Sequence, residues 1–167
     1  MTFKLSKLVS MFFMLTLCLS VNASEIYQQA MVRLDSKDAP GVQVETLAPY
    51  SGRPMLVSFF MPKCRWCQRQ HKTLKQMQAN CPSLQPVMLG VQGSKRHLKQ
   101  ELKREKNTFP AYIASPAIVK AIGAKSPVPM MLMFNGQGQL VFKTQGYTPQ
   151  EKLAKLFNET GIDICQA

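Results

Sequence analysis

The chain has 167 residues, room for one domain of ordinary size and too few for two with cores of their own. Hydrophobic residues make up 46% and charged residues 18%, which excludes a disordered tail or a low-complexity linker. Lys and Arg outnumber Asp and Glu by 21 to 9, a formal charge of +12 that bears on partners rather than on fold, and five cysteines are too few for a small disulfide-stapled scaffold.

Residues 1–23 read as a cleaved leader. Lys4 and Lys7 precede an apolar run from Leu8 to Leu19, and Val21 and Ala23 supply the small residues of a cut placed after Ala23. The run is about a dozen residues, short of the ~20 that span a bilayer as a helix, so a retained anchor is the lesser reading. Lipidation at Cys18 is a rival weakened by the bulky Leu17 before it. Without the leader, residues 24–167 form one domain with four cysteines in an oxidising compartment, a number that fits two pairs.

Residues 25–53 carry weak strand signals at Met31–Leu34 and Val42–Leu47, broken by Ala39-Pro40-Gly41. Pro54–Met61 is an apolar, β-rich run with the length of a buried strand. Cys64 to Ala79, with Leu and Met at helical spacing and no Gly or Pro, predicts a helix. Pro86–Val91 is a second buried strand, and Ser94–Lys106 a charged, solvated helix capped by Ser94. A short strand at Ala111–Ala114 and a helix opened by Ser115-Pro116 follow. Met130–Phe134, the turn Asn135-Gly136 and Gln139–Thr144 form a hairpin, and Thr148-Pro149 caps and opens a last helix with Leu153, Leu156 and Phe157 on one face. The order predicts an α/β domain: a mixed central sheet, helices on both faces, and a terminal hairpin plus helix.

Cys64-Arg65-Trp66-Cys67 sits where a buried strand turns into a helix. The unpaired N–H groups and partial positive charge of a helix start stabilise a thiolate, so Cys64 should titrate well below the ~8.5 of a free thiol. Lys63 and Arg65 push the same way. Cys67, one turn along, can attack a mixed disulfide at Cys64 and release the partner. Two other readings stay open: half of a zinc site completed by Cys81 and Cys165 or by His71, and a purely structural Cys64–Cys67 bond.

The segment Leu56–Cys67 resembles the active-site region of the thioredoxin superfamily, and most of all its exported TlpA/DsbE-like branch of thiol–disulfide oxidoreductases. Thr108-Phe109-Pro110, Val128-Pro129 before Met130–Phe134, and Asn135-Gly136 through Gly146 match further passages of that branch, over roughly residues 41–160. The resemblance implies a thioredoxin fold with Cys64 as exposed nucleophile and Cys67 as buried resolving thiol. It implies a cis peptide bond at Pro129, which keeps metal off the thiols, and a Val128 backbone that pairs with the client peptide. Trp66 joins this client-binding face, and Lys63 and Arg65 tune the thiol. The chain departs from many thioredoxins at Ser58, where they bury an acid six residues before the first cysteine. In the family fold, Cys81 and Cys165 follow two helices that cover one sheet face, which implies a structural disulfide between them. Closing that loop adds on the order of 4–5 kcal/mol in the chain-entropy account.

Eleven of the 21 basic residues lie within 63–106, a solvated face in one reading and a docking surface for an acidic partner or a membrane exterior in another; nucleic acid is remote for an exported chain. His71 and His97 read as solvated. Met61, Met130, Met131 and Met133 read as core or groove lining ahead of soft copper ligands. The expected activity is thiol–disulfide exchange on protein clients in the periplasm, without metal or organic cofactor, in the reductive direction and recharged by a membrane thiol-transfer donor. The alternatives are an oxidase or isomerase, or a non-catalytic client-binding or assembly factor.

Overall fold

The computed structural model describes residues 24–35 and 43–165; the expected leader and the Ala39-Pro40-Gly41 break lie outside them. The described chain runs α1 (Ser24–Gln28), β1 (Met31–Arg33), β2 (Val44–Glu45), a 3-10 turn at Ala48–Tyr50, β3 (Met55–Phe60), α2 (Arg65–Asn80) and β4 (Gln85–Gly90). It continues through α3 (Lys95–Arg104), β5 (Ala111–Ile113), α4 (Pro116–Ile122), β6 (Met130–Phe134), β7 (Leu140–Gln145) and α5 (Gln150–Glu159). The strands make one mixed sheet in the order β2-β1-β5-β4-β3-β6-β7. β4 pairs parallel with both β3 and β5, and all other pairs are antiparallel. Parallel neighbours need a crossover, and α2 and α3 provide the two required. Among the described residues no helix is long and apolar enough to cross a membrane.

The sheet is buried on both faces because its central strands carry apolar side chains at most positions instead of alternating, with Ser58 the buried polar exception in β3. In β3, Leu56 and Phe60 face one core while Met55, Val57 and Phe59 face the other. In β6, Met131 and Met133 take the first side and Met130, Leu132 and Phe134 the second, so these methionines are core residues. α2, α3 and α5 cover the first face, through Leu74, Met77, Leu98, Leu102, Leu153 and Phe157. Tyr27 of α1, Leu47 and Ile118 of α4 cover the second.

Ser94 and Ser115 cap their helices as expected, accepting the N–H of His97 and of Ile118. The last helix starts one residue later than its sequence suggests. Pro149 is the cap position and Thr148 is not, because both backbone groups of Thr148 are taken by Gln70 of α2. The hairpin loop is also longer than the Asn135-Gly136 turn predicts. Asn135 N–H donates to the Gln139 carbonyl, Gly138 takes the left-handed region at φ 76°, and β7 begins at Leu140. Neither α1 nor the 3-10 turn is signalled in the sequence; each is five residues or fewer, below the length at which periodicity can be read.

Candidate active site

Three segments meet at the end of the sheet where β3 stops. The first is the turn Met61-Pro62-Lys63 leading into α2. Lys63 adopts φ 60°, a left-handed conformation unusual for a residue with a Cβ, and its N–H donates to Glu101 Oε2 at 2.9 Å. Gly93 lets the neighbouring loop approach this turn, since a Cβ there would lie 2.9 Å from Pro62 Cγ. Cys64 then occupies the N-cap of α2 in extended conformation, and its Sγ accepts the N–H of Cys67 at 3.1 Å. No acidic residue lies in the first turn of this helix to cancel its positive end. Cys64 and Cys67 are bonded to one another, with Cα atoms 5.2 Å apart, an ordinary separation for a disulfide.

The second segment is the loop before β6, where the Val128–Pro129 bond is cis. Cys64 Sγ lies 3.9 Å from the Val128 carbonyl oxygen. The third follows β7. Gly146 N–H donates to the Pro129 carbonyl at 2.8 Å, and Tyr147 comes up beside α2. Trp66, 56% exposed, stacks on Tyr147 with ring centroids 6.0 Å apart. The Arg69 guanidinium lies 4.5 Å from the Tyr147 ring centroid and 5.8 Å from that of Trp66. The Tyr147 hydroxyl reaches Thr73 Oγ1 at 3.3 Å.

The structure therefore gathers Lys63, Cys64, Arg65, Trp66, Cys67, Val128 and Pro129 at one end of the sheet. It places Cys81 and Cys165 elsewhere: Cys81 is the C-cap at the far end of the 16-residue α2 and is bonded to Cys165 past α5. Both partners of a Cys-x2-Cys zinc site are thereby engaged away from the pair, and no group of three or more metal-ligating side chains occurs among the described residues. Access to the two active-site sulfurs differs less than the sequence suggests. Cys64 is 6% exposed and Cys67 3%, because the N-cap position folds the Cys64 side chain back over the helix start.

A buried polar cluster behind this turn is absent from the sequence reading. Glu101, only 4% exposed, takes the Lys63 N–H and, at 2.9 Å, the Gln68 side-chain amide, and pairs with Arg104. Burial alone would raise its pKa. The N–H of Lys63, the Gln68 amide, the Glu105 carboxyl and Arg104 outweigh that effect and hold Glu101 below the ordinary carboxylate range. Glu105 goes the other way, pushed up chiefly by burial and further by the Glu101 charge, against the pull of His71. His71, expected in solvent, is 2% exposed. Its Nδ1 meets Glu105 Oε2 at 2.9 Å and its Nε2 meets Asn107 Oδ1 at 2.8 Å. The Asn107 amide donates onward to the Phe109 carbonyl, which turns Oδ1 toward the ring as the acceptor of the Nε2 N–H. The signal for both residues is spacing. His71 shares the α2 stripe of Cys67, Leu74 and Met77, and Glu101 the α3 stripe of Leu98 and Leu102. His97 is exposed, as expected.

Residues 43–161 match the family described as a thioredoxin-like domain. Similar solved structures include a secreted Mycobacterium tuberculosis disulfide oxidoreductase described as homologous to Escherichia coli DsbE, at 16% identity and TM-score 0.64, covering 81% of this chain and 98% of that one. A thiol:disulfide interchange protein from Chlorobium tepidum is similar at 16% identity and TM-score 0.65, over 79% of this chain and 92% of its own. StoA from Bacillus subtilis is similar at 16% identity and TM-score 0.58, over 77% and 94%. At such identities the structural likeness bears on the fold, and no curated protein matches the chain by sequence. The family match over most of the chain, with a bonded Cys-x2-Cys pair at the start of α2, places the chain in the thioredoxin-like family of thiol–disulfide oxidoreductases.

Proposed function

We propose that this is an exported, periplasmic enzyme that exchanges disulfides with protein clients through Cys64 and Cys67, working as a reductase. The observation that carries this reading is the position of Cys64 Sγ, which takes the Cys67 N–H at the start of α2 and lies 3.9 Å from the Val128 carbonyl. A client peptide paired in extended form with the Val128 backbone would bring its sulfur to that point. In the reduced enzyme, the Cys64 thiolate attacks one sulfur of a client disulfide. The client's S–S bond breaks, its second sulfur leaves as a thiolate, and a Cys64–client disulfide forms. Cys67, once deprotonated, attacks Cys64 Sγ and expels the client's first sulfur. Two electrons and two protons have then passed to the client, and the Cys64–Cys67 disulfide remains. Pro129 and Trp66 shape the docking face, and Lys63 and Arg65 lower the thiol's pKa. Cys81–Cys165 is the structural pair.

Export rests on the leader-like residues 1–23 and is supported by the secreted protein among the structural relatives. The reductive direction, with a membrane thiol-transfer protein returning the electrons, rests on the TlpA/DsbE-like resemblance. One observation favours the opposite direction. Lys63 and Arg65 are exposed beside Cys64, and stabilising its thiolate makes the couple more oxidising. In Cys67→Ser the first attack proceeds and the second cannot. The variant should accumulate covalent client adducts at Cys64 that release on adding dithiothreitol, seen as shifted bands on non-reducing gels. If Cys67→Ser forms no more adducts than Cys64→Ser, the enzyme reading fails.

A further inference from the structure

We infer that the face around Cys64 selects clients whose cysteine is flanked by acidic residues; this deepens the exchange reading above and rests on it. Lys63, Arg65, Arg69 and Lys72 are exposed at and just beyond the turn, the last three spaced along one side of α2. None of the four is in an ion pair among the described residues. Glu101 of α3 and Glu105 at its C-cap are unavailable to them. Glu101 is occupied by the Lys63 N–H, Gln68 and Arg104, and Glu105 by His71. The positive end of α2 adds to this field, with no acid in its first turn.

Arg69 gives the charge a direction. Its guanidinium is held over the Tyr147 and Trp66 rings, and the Tyr147 hydroxyl is itself tied to Thr73. A guanidinium fixed on an aromatic face loses little freedom when its N–H edge binds a carboxylate in bidentate fashion. The charges run in a line from the turn at Cys64 along one side of α2, beside the Val128 carbonyl 3.9 Å from Sγ, a geometry suited to an extended acidic peptide rather than to a flat lipid surface. Such a peptide would be steered to Cys64, with a gain in encounter rate of about tenfold or more at low salt.

The test uses the full chain and three cyclic peptides that share one disulfide and carry acidic, uncharged or basic flanks, with hydroxyethyl disulfide as a small neutral substrate. At low salt the acid-flanked peptide should exchange about tenfold faster in kcat/KM than the basic one, and the gap should close at high salt as screening sets in. Arg69→Glu should narrow or reverse the order; should that variant not fold, the peptide series and its salt dependence on the unaltered protein decide alone. Equal rates for the three peptides, or a preference that salt leaves intact, would overturn the inference. So would equal rates together with sedimentation on anionic phosphatidylglycerol vesicles, which would assign the charge to a membrane. Failure to turn over hydroxyethyl disulfide would instead sink the exchange reading, and this inference with it.

Discussion

At Cys64 the chain has not yet entered the helix, and the side chain turns back so that Sγ takes the Cys67 N–H at 3.1 Å. A thiolate at this atom gains a hydrogen bond and the full effect of the helix dipole at its end. The backbone that aims Cys64 is held by one side chain, Glu101, through the N–H of Lys63. Glu101→Gln keeps the shape but sets an NH2 among donors, and should cost about 1–3 kcal/mol at neutral pH. The folded-state pKa of Glu101 lies below its unfolded value, so its contribution is present above about pH 4.3 and is lost as pH falls through the folded pKa. Denaturant melts across pH should therefore show the gap between the two proteins shrinking on acidification; a gap constant with pH would remove the charge from the account. Cys64 and Cys67 are legible because three residues and a helix start fix their relation covalently and locally. Glu101 is not, since the Lys63 N–H and the Gln68 amide that it holds lie on the turn and on α2, and only the packing of α3 on α2 makes a carboxylate necessary there.

α2 connects the site to the rest of the fold through its buried face. Gln70 gives the Thr148 N–H an acceptor at 2.8 Å and donates to the Thr148 carbonyl at 3.2 Å, fixing the segment that carries Tyr147 against the helix. Gln70→Ala would bury two backbone groups without partners and should lower stability by about 1–3 kcal/mol, measured by urea unfolding. A loss no greater than a surface substitution causes would show that water replaces the amide. The elements with strong apolar runs, β3, β4 and β6, were legible to within a residue at each end, since burial on both faces makes them apolar almost throughout instead of alternating. The start of α5 was not, because Thr148 reads locally as a cap while a residue 78 positions away claims its backbone.

Over the whole molecule, the two disulfides sit at opposite ends of α2 and have different consequences. Cys64–Cys67 closes a short loop at the start of α2, whereas Cys81–Cys165 joins residues 84 apart and ties the end of α5 to that of α2. Cys81→Ser with Cys165→Ser should cost on the order of 4–5 kcal/mol in the chain-entropy account and leave exchange through Cys64 intact below the lowered Tm. Loss of stability without loss of exchange, followed by calorimetry and by peptide turnover, would separate the two roles. Four cysteines and the element order made this pairing legible through the family resemblance. The distribution of unpaired charge around Cys64 was visible only once the fold showed which acids are already taken.

If Cys64 and Cys67 carry the exchange, they form a reversible two-electron couple at the end of the sheet where β3 stops. Equilibrating the full chain in graded glutathione or dithiothreitol buffers, then alkylating and mapping each cysteine by mass, measures this directly. Cys64 and Cys67 should open together in a single two-electron transition while Cys81–Cys165 stays closed through it, with a potential near the −270 mV of thioredoxin for a reductase or toward −120 mV for an oxidant. A Cys64–Cys67 bond that persists after Cys81–Cys165 has opened would contradict it.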